Sequence, residues 1–292
     1  MRFIVASACG FAAALAAATV EPPAKPQDPL PGREIAPGVR ELVFADGSVY
    51  RGGLRGSSMH GKGEYVSRDF RYEGDFIEGL KQGHGTYFWN NGDRYDGGFA
   101  NDRPDGVGKY HFGNGDSYEG EVRAGIIAGR GTYASKGGDV FEGSFSRGKP
   151  HGAGIYQYAS GERYEGEMVQ GRLQGRGRYF ARNGDRIEAS FLDGRAQGIG
   201  TYHFSNGDRY VGEISRGVLS GQGTYHYGSG LRYEGEVREG LPQGKGALWF
   251  LDGTRFEGTF EDGLARARGE IVKRDGTRTP AEIVDRSAKL LN

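Results

Sequence analysis

The chain repeats a short motif at an almost constant spacing. The motif in its simplest form is Tyr-Glu-Gly, and we count its first residue as position 1 of a repeat. The repeats start at Tyr50, Tyr72, Tyr95, Tyr118, Phe141, Tyr164, Ile187, Tyr210, Tyr233 and Phe256. The first step is 22 residues and the other eight are 23 residues. A fixed period of this length predicts a stack of equivalent structural units.

Each repeat contains two stretches in which the residue type alternates. The first has aromatic, Gly and apolar residues at positions 1, 3 and 5 with Glu at position 2, and the second has Gly at positions 12 and 14 before an aromatic residue at position 16. Period-two alternation predicts strands with one polar face. Gly makes up 55 of the 292 residues, which disfavours helix. We therefore expect an all-β fold, an elongated single-layer twisted antiparallel β-sheet in which about ten 23-residue hairpins form a meander.

The parity of the alternation predicts the length of the turns. Positions 20 and 21 are often Asn-Gly or Asp-Gly, but a two-residue turn there would put the aromatics of positions 16 and 1 on opposite faces. A three-residue loop at positions 19 to 21 instead opposes position 16 to position 1. The first repeat is one residue short, and a two-residue loop at Arg68-Asp69 keeps Tyr65 opposite Tyr72. A wider loop at positions 6 to 11 is predicted to close the other hairpin, with position 5 opposite position 12.

This register puts all aromatic and Gly positions on one face. Glycines at positions 3 and 14 then form a furrow across the strands, into which neighbouring rings can lean. The other face carries Arg at position 23 beside Glu at position 2, which is typical of a solvated surface. We expect the rings at positions 1, 5 and 16 to be core and the residues at position 18 to be the candidate interaction surface. The position-18 residues are Trp89, Phe112, Tyr158, Phe204, Tyr227 and Phe250.

The N-terminal region differs from the repeat. Residues 1–20 contain Met-Arg and then an apolar run with small residues, which predicts a signal peptide cleaved near Ala18. An uncleaved membrane tether is the alternative. Residues 21–38 carry six prolines and are predicted to form a linker. The predicted repeat domain is 39–278, and Leu42 marks half a repeat before Tyr50.

The C-terminal segment, residues 279–292, is predicted to be a short amphipathic capping helix. Thr279 is a suitable N-cap, Pro280 would lie at the first helical position and Glu282 would complete a capping box. Ile283 and Leu290 belong to the apolar stripe that follows. A helix packed on the last hairpin would cover an open sheet edge, and a partner-binding helix is the alternative.

The composition does not favour catalysis or nucleic-acid binding. Lys and Arg together number 38, as do Asp and Glu, so the net charge gives no electrostatic footprint for nucleic acid. Cys9 is the one cysteine, and His203 and His226 lie one repeat apart, about 10 Å, which is too far for one metal ion. No Gly-rich phosphate loop or nucleophile elbow occurs in the required context. We expect no metal, no cofactor and no enzymatic activity.

The pattern Tyr-x-Gly-x-aromatic-x-x-Gly-x-x-x-Gly-x-Gly-x-Tyr, as in the stretch from Phe141 to Tyr156, resembles the MORN repeat (membrane occupation and recognition nexus). The resemblance covers about residues 42–272. It implies an elongated twisted β-sheet and a role in protein scaffolding, homodimerisation or membrane association rather than in a reaction. The chain departs from the pattern at Ile187 and Ala189 in the seventh repeat and at Asp102, which replaces the position-8 Gly of the third.

These observations give two functional hypotheses. The first is an exported, non-catalytic scaffold that binds a protein partner, or a second copy of itself, through the aromatic face. The alternative is a binding module whose tyrosine-glycine furrow holds a glycan or a lipid, because tyrosine rows stack on sugars. The residues that repeat build the sheet, so specificity is expected at the positions that vary.

Overall fold

The computed structural model describes residues 32–285 and 287–291. These residues divide into two compact units, 32–159 and 160–291, and every regular element among them is a β-strand. The predicted all-β class is confirmed. The predicted signal peptide, residues 1–20, and the predicted linker as far as residue 31 lie outside the described residues.

The first unit contains twelve strands, each antiparallel to the next in chain order. They are β1 (Arg33–Ala36), β2 (Val39–Val43), β3 (Val49–Arg55), β4 (Ser58–Val66), β5 (Phe70–Ile77), β6 (Leu80–Trp89), β7 (Arg94–Ala100), β8 (Arg103–His111), β9 (Ser117–Arg123), β10 (Ile126–Ala134), β11 (Val140–Ser146) and β12 (Lys149–Gln157). This is the predicted meander.

The second unit has the same organisation, again with twelve strands and antiparallel pairing in chain order. They are β13 (Arg163–Val169), β14 (Arg172–Phe180), β15 (Arg186–Leu192), β16 (Arg195–His203), β17 (Arg209–Ser215), β18 (Val218–His226), β19 (Arg232–Arg238), β20 (Leu241–Trp249), β21 (Arg255–Asp262), β22 (Arg266–Val272), β23 (Arg278–Val284) and β24 (Ser287–Leu290).

The register between repeats is the predicted one. Tyr87 at position 16 lies opposite Tyr95 at position 1, and Gly85 lies opposite Gly97. The same pairings recur between the later repeats of each unit, for example in the β18–β19 pair. Because side chains alternate along a strand, this register places the rings and the glycines on one face.

The turn at positions 19 to 21 has the predicted three residues. The Trp89 N–H donates to the Asp93 carbonyl oxygen at 2.9 Å, and Gly92 between them has φ 91°. In the short first repeat, the Ser67 N–H donates to the Phe70 carbonyl oxygen at 2.9 Å. That two-residue loop preserves the tyrosine pairing across it, as expected.

The prediction of a wide loop at positions 6 to 11 is wrong. The strands are joined by a two-residue turn at Glu78-Gly79, both with positive φ, and Phe76 lies opposite Lys81 at position 10. A bulge then follows, where Gly83 at position 12 has φ 73°. Glycines at positions 8 and 12 therefore permit a tight hairpin and a bulge that restores the register, so no loop is needed.

Rings at position 1 fill the glycine furrow. The buried Tyr50 ring covers Gly52 and Gly63, where an added Cβ atom would overlap it, and its hydroxyl donates to the Gly53 carbonyl oxygen at 2.8 Å. Equivalent rings that cover two glycines are Tyr72, Tyr95, Tyr118, Phe141, Tyr164, Tyr210 and Tyr233. The predicted aromatic-glycine arrangement is confirmed, and the chain itself occupies the furrow.

Positions 5 and 10 complete the core. Tyr72 packs edge-to-face against Phe76 of its own repeat, with centroids 5.1 Å apart, and against Phe99 of the next repeat at 4.9 Å. Position 10 is a buried apolar position that the sequence analysis did not identify, occupied for example by Ile127 and Leu173. It is buried because the tight turn places it directly opposite position 5.

The prediction of a C-terminal helix over residues 279–292 is wrong, because β23 and β24 form another antiparallel hairpin there. Thr279 lies 23 residues after Phe256 and pairs with Ile271, so the repeat register continues past the last recognised start. Ala281 and Ile283 then take the buried positions 3 and 5. Burial in the existing register outweighs the local preference of the Thr-Pro-Ala-Glu segment for a helix start.

At the N-terminal end, Leu42 pairs with Tyr50 and is buried, as the half repeat predicts. Strand β1 lies within the last part of the predicted linker and pairs with β2. The sheet of the first unit therefore begins at Arg33, before the predicted boundary at residue 39.

Candidate interaction surface

The six predicted surface residues at position 18 are all half-buried. Each stands at the end of a strand, two residues after the buried side chain of position 16, which is a tyrosine in five cases and Leu248 before Phe250. Trp89 packs on Tyr87 with centroids 4.3 Å apart, and Phe112 stacks on Tyr110 at 5.6 Å and an interplanar angle of 6°. The others are Tyr158, Phe204, Tyr227 and Phe250. Their rings are thus held on one side by the core and exposed in part on the other.

Two position-18 rings of the first unit, Trp89 and Phe112, belong to a continuous stack, and the third, Tyr158, packs on Tyr156 with centroids 4.3 Å apart. Successive centroids in this stack are 4.3 to 6.1 Å apart. The stack consists of Phe44, Tyr65, Phe70, Tyr87, Trp89, Tyr110 and Phe112. Such spacings are those of favourable aromatic pairs, so each exposed ring is fixed by its neighbours.

The second unit has a shorter stack of the same kind. Phe204 lies 4.4 Å from Tyr202 and 6.1 Å from Tyr225, which stacks on Tyr227 at 5.6 Å. Tyr202, Tyr225 and their equivalents are buried. We call the position-18 residues of each unit, at the ends of the strands, its ring row. Stacked rings join Trp89 to Phe112 in the first unit and Phe204 to Tyr227 in the second.

Aspartates at position 22 support the ring row. Asp116 accepts the Tyr133 hydroxyl at 2.6 Å and the Lys136 backbone N–H at 2.9 Å. Burial alone would raise the pKa of Asp116, but these hydrogen bonds outweigh it and hold the pKa below its usual value. Asp139 and Asp185 make the same pair of contacts one repeat and three repeats further on. The ionised carboxylate fixes both the ring and the following turn.

The opposite face carries paired charges. Arg at position 23 contacts the carboxylate two residues further along its own strand, as in Arg71–Glu73 at 2.8 Å and Arg163–Glu165 at 2.6 Å. Most of these side chains are at least one-third exposed. Exposed pairs contribute little to stability, so this surface is mainly solvated, as predicted.

Aromatic side chains at position 17 lie next to these arginines. The Phe88 ring lies 4.3 Å from the Arg71 guanidinium carbon and 5.6 Å from that of Arg94. Trp249 lies 4.1 Å from Arg232 in the same way. His203 and His226, considered above as possible metal ligands, also occupy position 17. The signal that could have revealed these rings is the register, which sets position 17 directly opposite the arginines of position 23.

Among the described residues, no three His, Cys, Asp or Glu side chains are grouped so that they could hold a metal ion. Within the same part of the chain, no helix is long and apolar enough to cross a membrane.

Several solved structures share a distant likeness with the chain. The SAS-4 (dCPAP) TCP domain of Drosophila melanogaster, in complex with a proline-rich motif of Ana2 (dSTIL), is 13% identical with a TM-score of 0.27, covering 80% of this chain and 97% of that chain. The TCP10 domain of Danio rerio CPAP is 11% identical with a TM-score of 0.25, over 87% of this chain and 98% of that one. No curated protein matches the sequence significantly.

The family model for the MORN repeat matches most of the chain. Its nine matches cover residues 50–69, 72–94, 95–117, 118–140, 141–163, 164–186, 188–209, 210–232 and 233–255. All but one of the matches begin at a repeat start that the 23-residue period defines; the match over the seventh repeat begins at residue 188, one residue after Ile187, where Tyr is replaced. The chain therefore belongs to the MORN-repeat family.

Proposed function

We propose that this protein is a non-catalytic scaffold that holds a protein partner against its ring row. Its MORN repeats make it a repeat scaffold or interaction module, and the observation that supports the finer proposal is the half-burial of all six position-18 rings. Aromatic residues that are fixed by neighbours and partly exposed lose little conformational entropy on binding. The rings at positions 1, 5 and 16 are buried and are not available for contact.

The alternative of a glycan or lipid in the furrow has less support. Tyr72 covers both Gly74 and Gly85, and its ring is fully buried. A ligand in the furrow would have to displace this ring and its equivalents. Contact at the ring edges requires no such rearrangement, so a protein surface is the better-supported occupant.

The proposal is tested by crosslinking and mass spectrometry of the full chain in its native host. The variants are Trp89→Ala/Phe112→Ala and Phe204→Ala/Tyr227→Ala, and His111→Ala, at an exposed position on the opposite face, is the matched control. We expect each ring variant to lose the crosslinks of the parent protein and the control to keep them. Light scattering identifies a second copy of the chain as the partner. Crosslinks that survive both ring variants would contradict the proposal.

We also propose that the protein is exported, either cleaved near Ala18 or tethered by residues 1–20. The support is the sequence of that segment alone. Cell fractionation with intact-mass measurement distinguishes the forms, since cleavage removes the mass of the segment and a tethered chain keeps it in the membrane fraction. Recovery of the full-length chain in the cytosol would contradict export.

A further inference from the structure

Five nitrogen-bearing side chains form a single row on the polar face of the second unit. In the strand register each lies directly opposite the next across strands β15 to β19. The row consists of Arg186, His203, Arg209, His226 and Arg232. With strands about 4.8 Å apart it extends over about 19 Å.

The central residue, Arg209, lacks the carboxylate that its equivalents have. Arg186 contacts Glu188 at 3.1 Å. Arg232 contacts Glu234 at 3.9 Å. The residue two positions after Arg209 is Val211, and the side chain of Arg209 forms no ion pair or hydrogen bond with any residue that the structure describes. The exposed guanidinium of Arg209 therefore has no carboxylate beside it, whereas the equivalent arginines in the neighbouring repeats do.

The neighbours of Val211 are also uncharged. Thr201 and Thr224 lie directly opposite it on either side, and all three are half-buried. The next carboxylate along the strand, Glu213, already accepts the Gln222 backbone N–H at 2.9 Å. The sheet surface beside Arg209 is thus formed by the small apolar side chain of Val211, with a threonine on each side.

Each histidine of the row is flanked by two arginines in the strand register. Burial, Arg186 and Arg209 lower the pKa of His203 against the opposing effect of Glu188. Burial, Arg209 and Arg232 lower the pKa of His226. The Arg186 Nη2 lies 3.0 Å from the His203 Nε2, and since an arginine can only donate, that imidazole nitrogen accepts. Neutral histidines on both sides of Arg209 add hydrogen-bonding capacity.

We propose that Arg209 binds a carboxylate of a partner protein, which takes the place of the Glu that the repeat has elsewhere at position 2. The ligand is an Asp or Glu side chain or a C-terminal carboxylate, which a guanidinium binds through two parallel hydrogen bonds. The methylene carbons next to the carboxylate rest on Val211. This inference rests on the proposed role in protein binding, but it uses the face opposite the ring row.

The test uses fluorescence anisotropy of the full chain with a labelled peptide of Glu, Gly and Ser at physiological salt. Val211→Glu gives Arg209 the glutamate at position 2 that Arg186 and Arg232 have in the neighbouring repeats. Arg209→Gln removes the guanidinium. We expect either change to weaken binding at least about fivefold, the scale of one charge-assisted contact. Arg255→Gln is the matched control, because Arg255 already contacts Glu257 at 2.6 Å, and it is expected to change binding less than about twofold.

Three results would overturn the proposal. The first is a Val211→Glu variant that binds the peptide as tightly as the parent protein, and the second is an Arg255→Gln variant that loses as much peptide affinity as Arg209→Gln. The third is a phosphoserine peptide of equal charge that binds at least about tenfold more tightly than the glutamate peptide. The ring variants separate this site from the proposed function. Loss of partner crosslinks in Trp89→Ala/Phe112→Ala with peptide binding intact places the two contacts on different faces. Peptide binding lost in Val211→Glu with crosslinks intact shows that the ring row does not depend on Arg209.

Discussion

At the scale of single residues, the furrow glycines stabilise the sheet by admitting a ring. A methyl group at Gly85 would overlap the Tyr72 ring, although Gly85 does not have positive φ. We therefore expect Gly85→Ala to lower the free energy of unfolding by about 1–3 kcal/mol, the usual cost of overpacking. Denaturant unfolding measures this loss. Gly137→Ala is the control, because its added methyl would meet nothing closer than 3.6 Å, and an equal loss there would contradict the explanation.

The seventh repeat allows the reverse experiment. Ile187 stands where the other repeats have a ring, and Ala189 stands where they have the glycine beneath it. Ile187→Tyr alone should cost about 1–3 kcal/mol, because the ring would meet the Ala189 methyl. Adding Ala189→Gly should recover that loss, a coupling of at least about 1 kcal/mol between the two sites. Additive effects in the denaturant unfolding of the two single variants and the double variant would contradict this account.

The sequence predicts the roles of positions 1, 3, 14 and 16 because each follows from alternation and turn parity. The role of position 10 could not be predicted in this way. Ile127 and Leu173 are buried only because a two-residue turn brings position 10 opposite position 5. A wide loop of the same length, with the same glycines, would have left both residues exposed.

At the scale of strands and turns, two departures from the repeat meet each other. Lys81 occupies the buried position 10 of the second repeat, and Asp102 replaces the position-8 Gly of the third. Asp102 accepts the Lys81 backbone N–H at 2.9 Å and lies 3.7 Å from its ammonium group, which is 5.0 Å from the Phe70 ring centre. Burial lowers the pKa of Lys81, and Asp102 partly opposes that effect. The carboxylate thus compensates a buried cation.

Asp102→Gly should therefore destabilise the protein even though it restores the residue typical of the repeat. The backbone there has φ 67°, which favours Gly, so a loss would come from the hydrogen bond and the charge pair that Asp102 forms with Lys81. We expect a loss of about 2–4 kcal/mol, near the cost of removing one partner of a buried pair. Lys81→Leu/Asp102→Gly should regain the parental stability. Denaturant unfolding measures the free energy of unfolding of each variant. An Asp102→Gly variant as stable as the parent protein would contradict the pairing.

The turn aspartates predict acid sensitivity. Burial acts to raise the pKa of Asp185, but hydrogen bonds from Tyr202 and the Ser205 N–H outweigh it and lower the pKa. The unfolded chain then binds more protons in acid, so this contribution is full above about pH 4 and is lost as the pH falls through the folded pKa. We expect Asp185→Asn to be less stable at neutral pH and to show a flatter acid slope in thermal unfolding. Tyr202→Phe should be intermediate, and an unchanged slope in Asp185→Asn would contradict the assignment.

The wrong prediction of a C-terminal helix belongs to this scale. The segment from Thr279 to Glu282 has good local helix-start chemistry, yet it continues the 23-residue register onto β22. Extending the count of repeat starts by one more period would have placed Ala281 and Ile283 at core positions. Local preferences of about 1 kcal/mol are smaller than the burial that the register offers.

At the scale of the whole molecule, each hairpin depends on its sequence neighbours. Tyr72 packs on Phe76 of its own repeat and on Phe99 of the following one, and no longer-range contact is needed to bury it within the first unit. Stability in such proteins is approximately a sum over repeats and the interfaces between them. The division into two compact units leaves each ring that covers two glycines in the same unit as both of them, as with Phe141 in the first unit and Tyr164 in the second.

We therefore expect residues 32–159 and residues 160–292 each to fold when produced separately. Circular dichroism should show a β-sheet spectrum and a cooperative thermal transition for both fragments, because every ring at position 1 keeps both of its glycines. A fragment of residues 172–292 is the control: it removes Tyr164, whose ring covers Gly177 on β14, and so leaves a furrow open at its end. It should unfold at a lower temperature than residues 160–292. If both long fragments are unfolded, or if the shorter one is equally stable, ring-over-glycine packing between neighbours is not what sets the stability of this sheet.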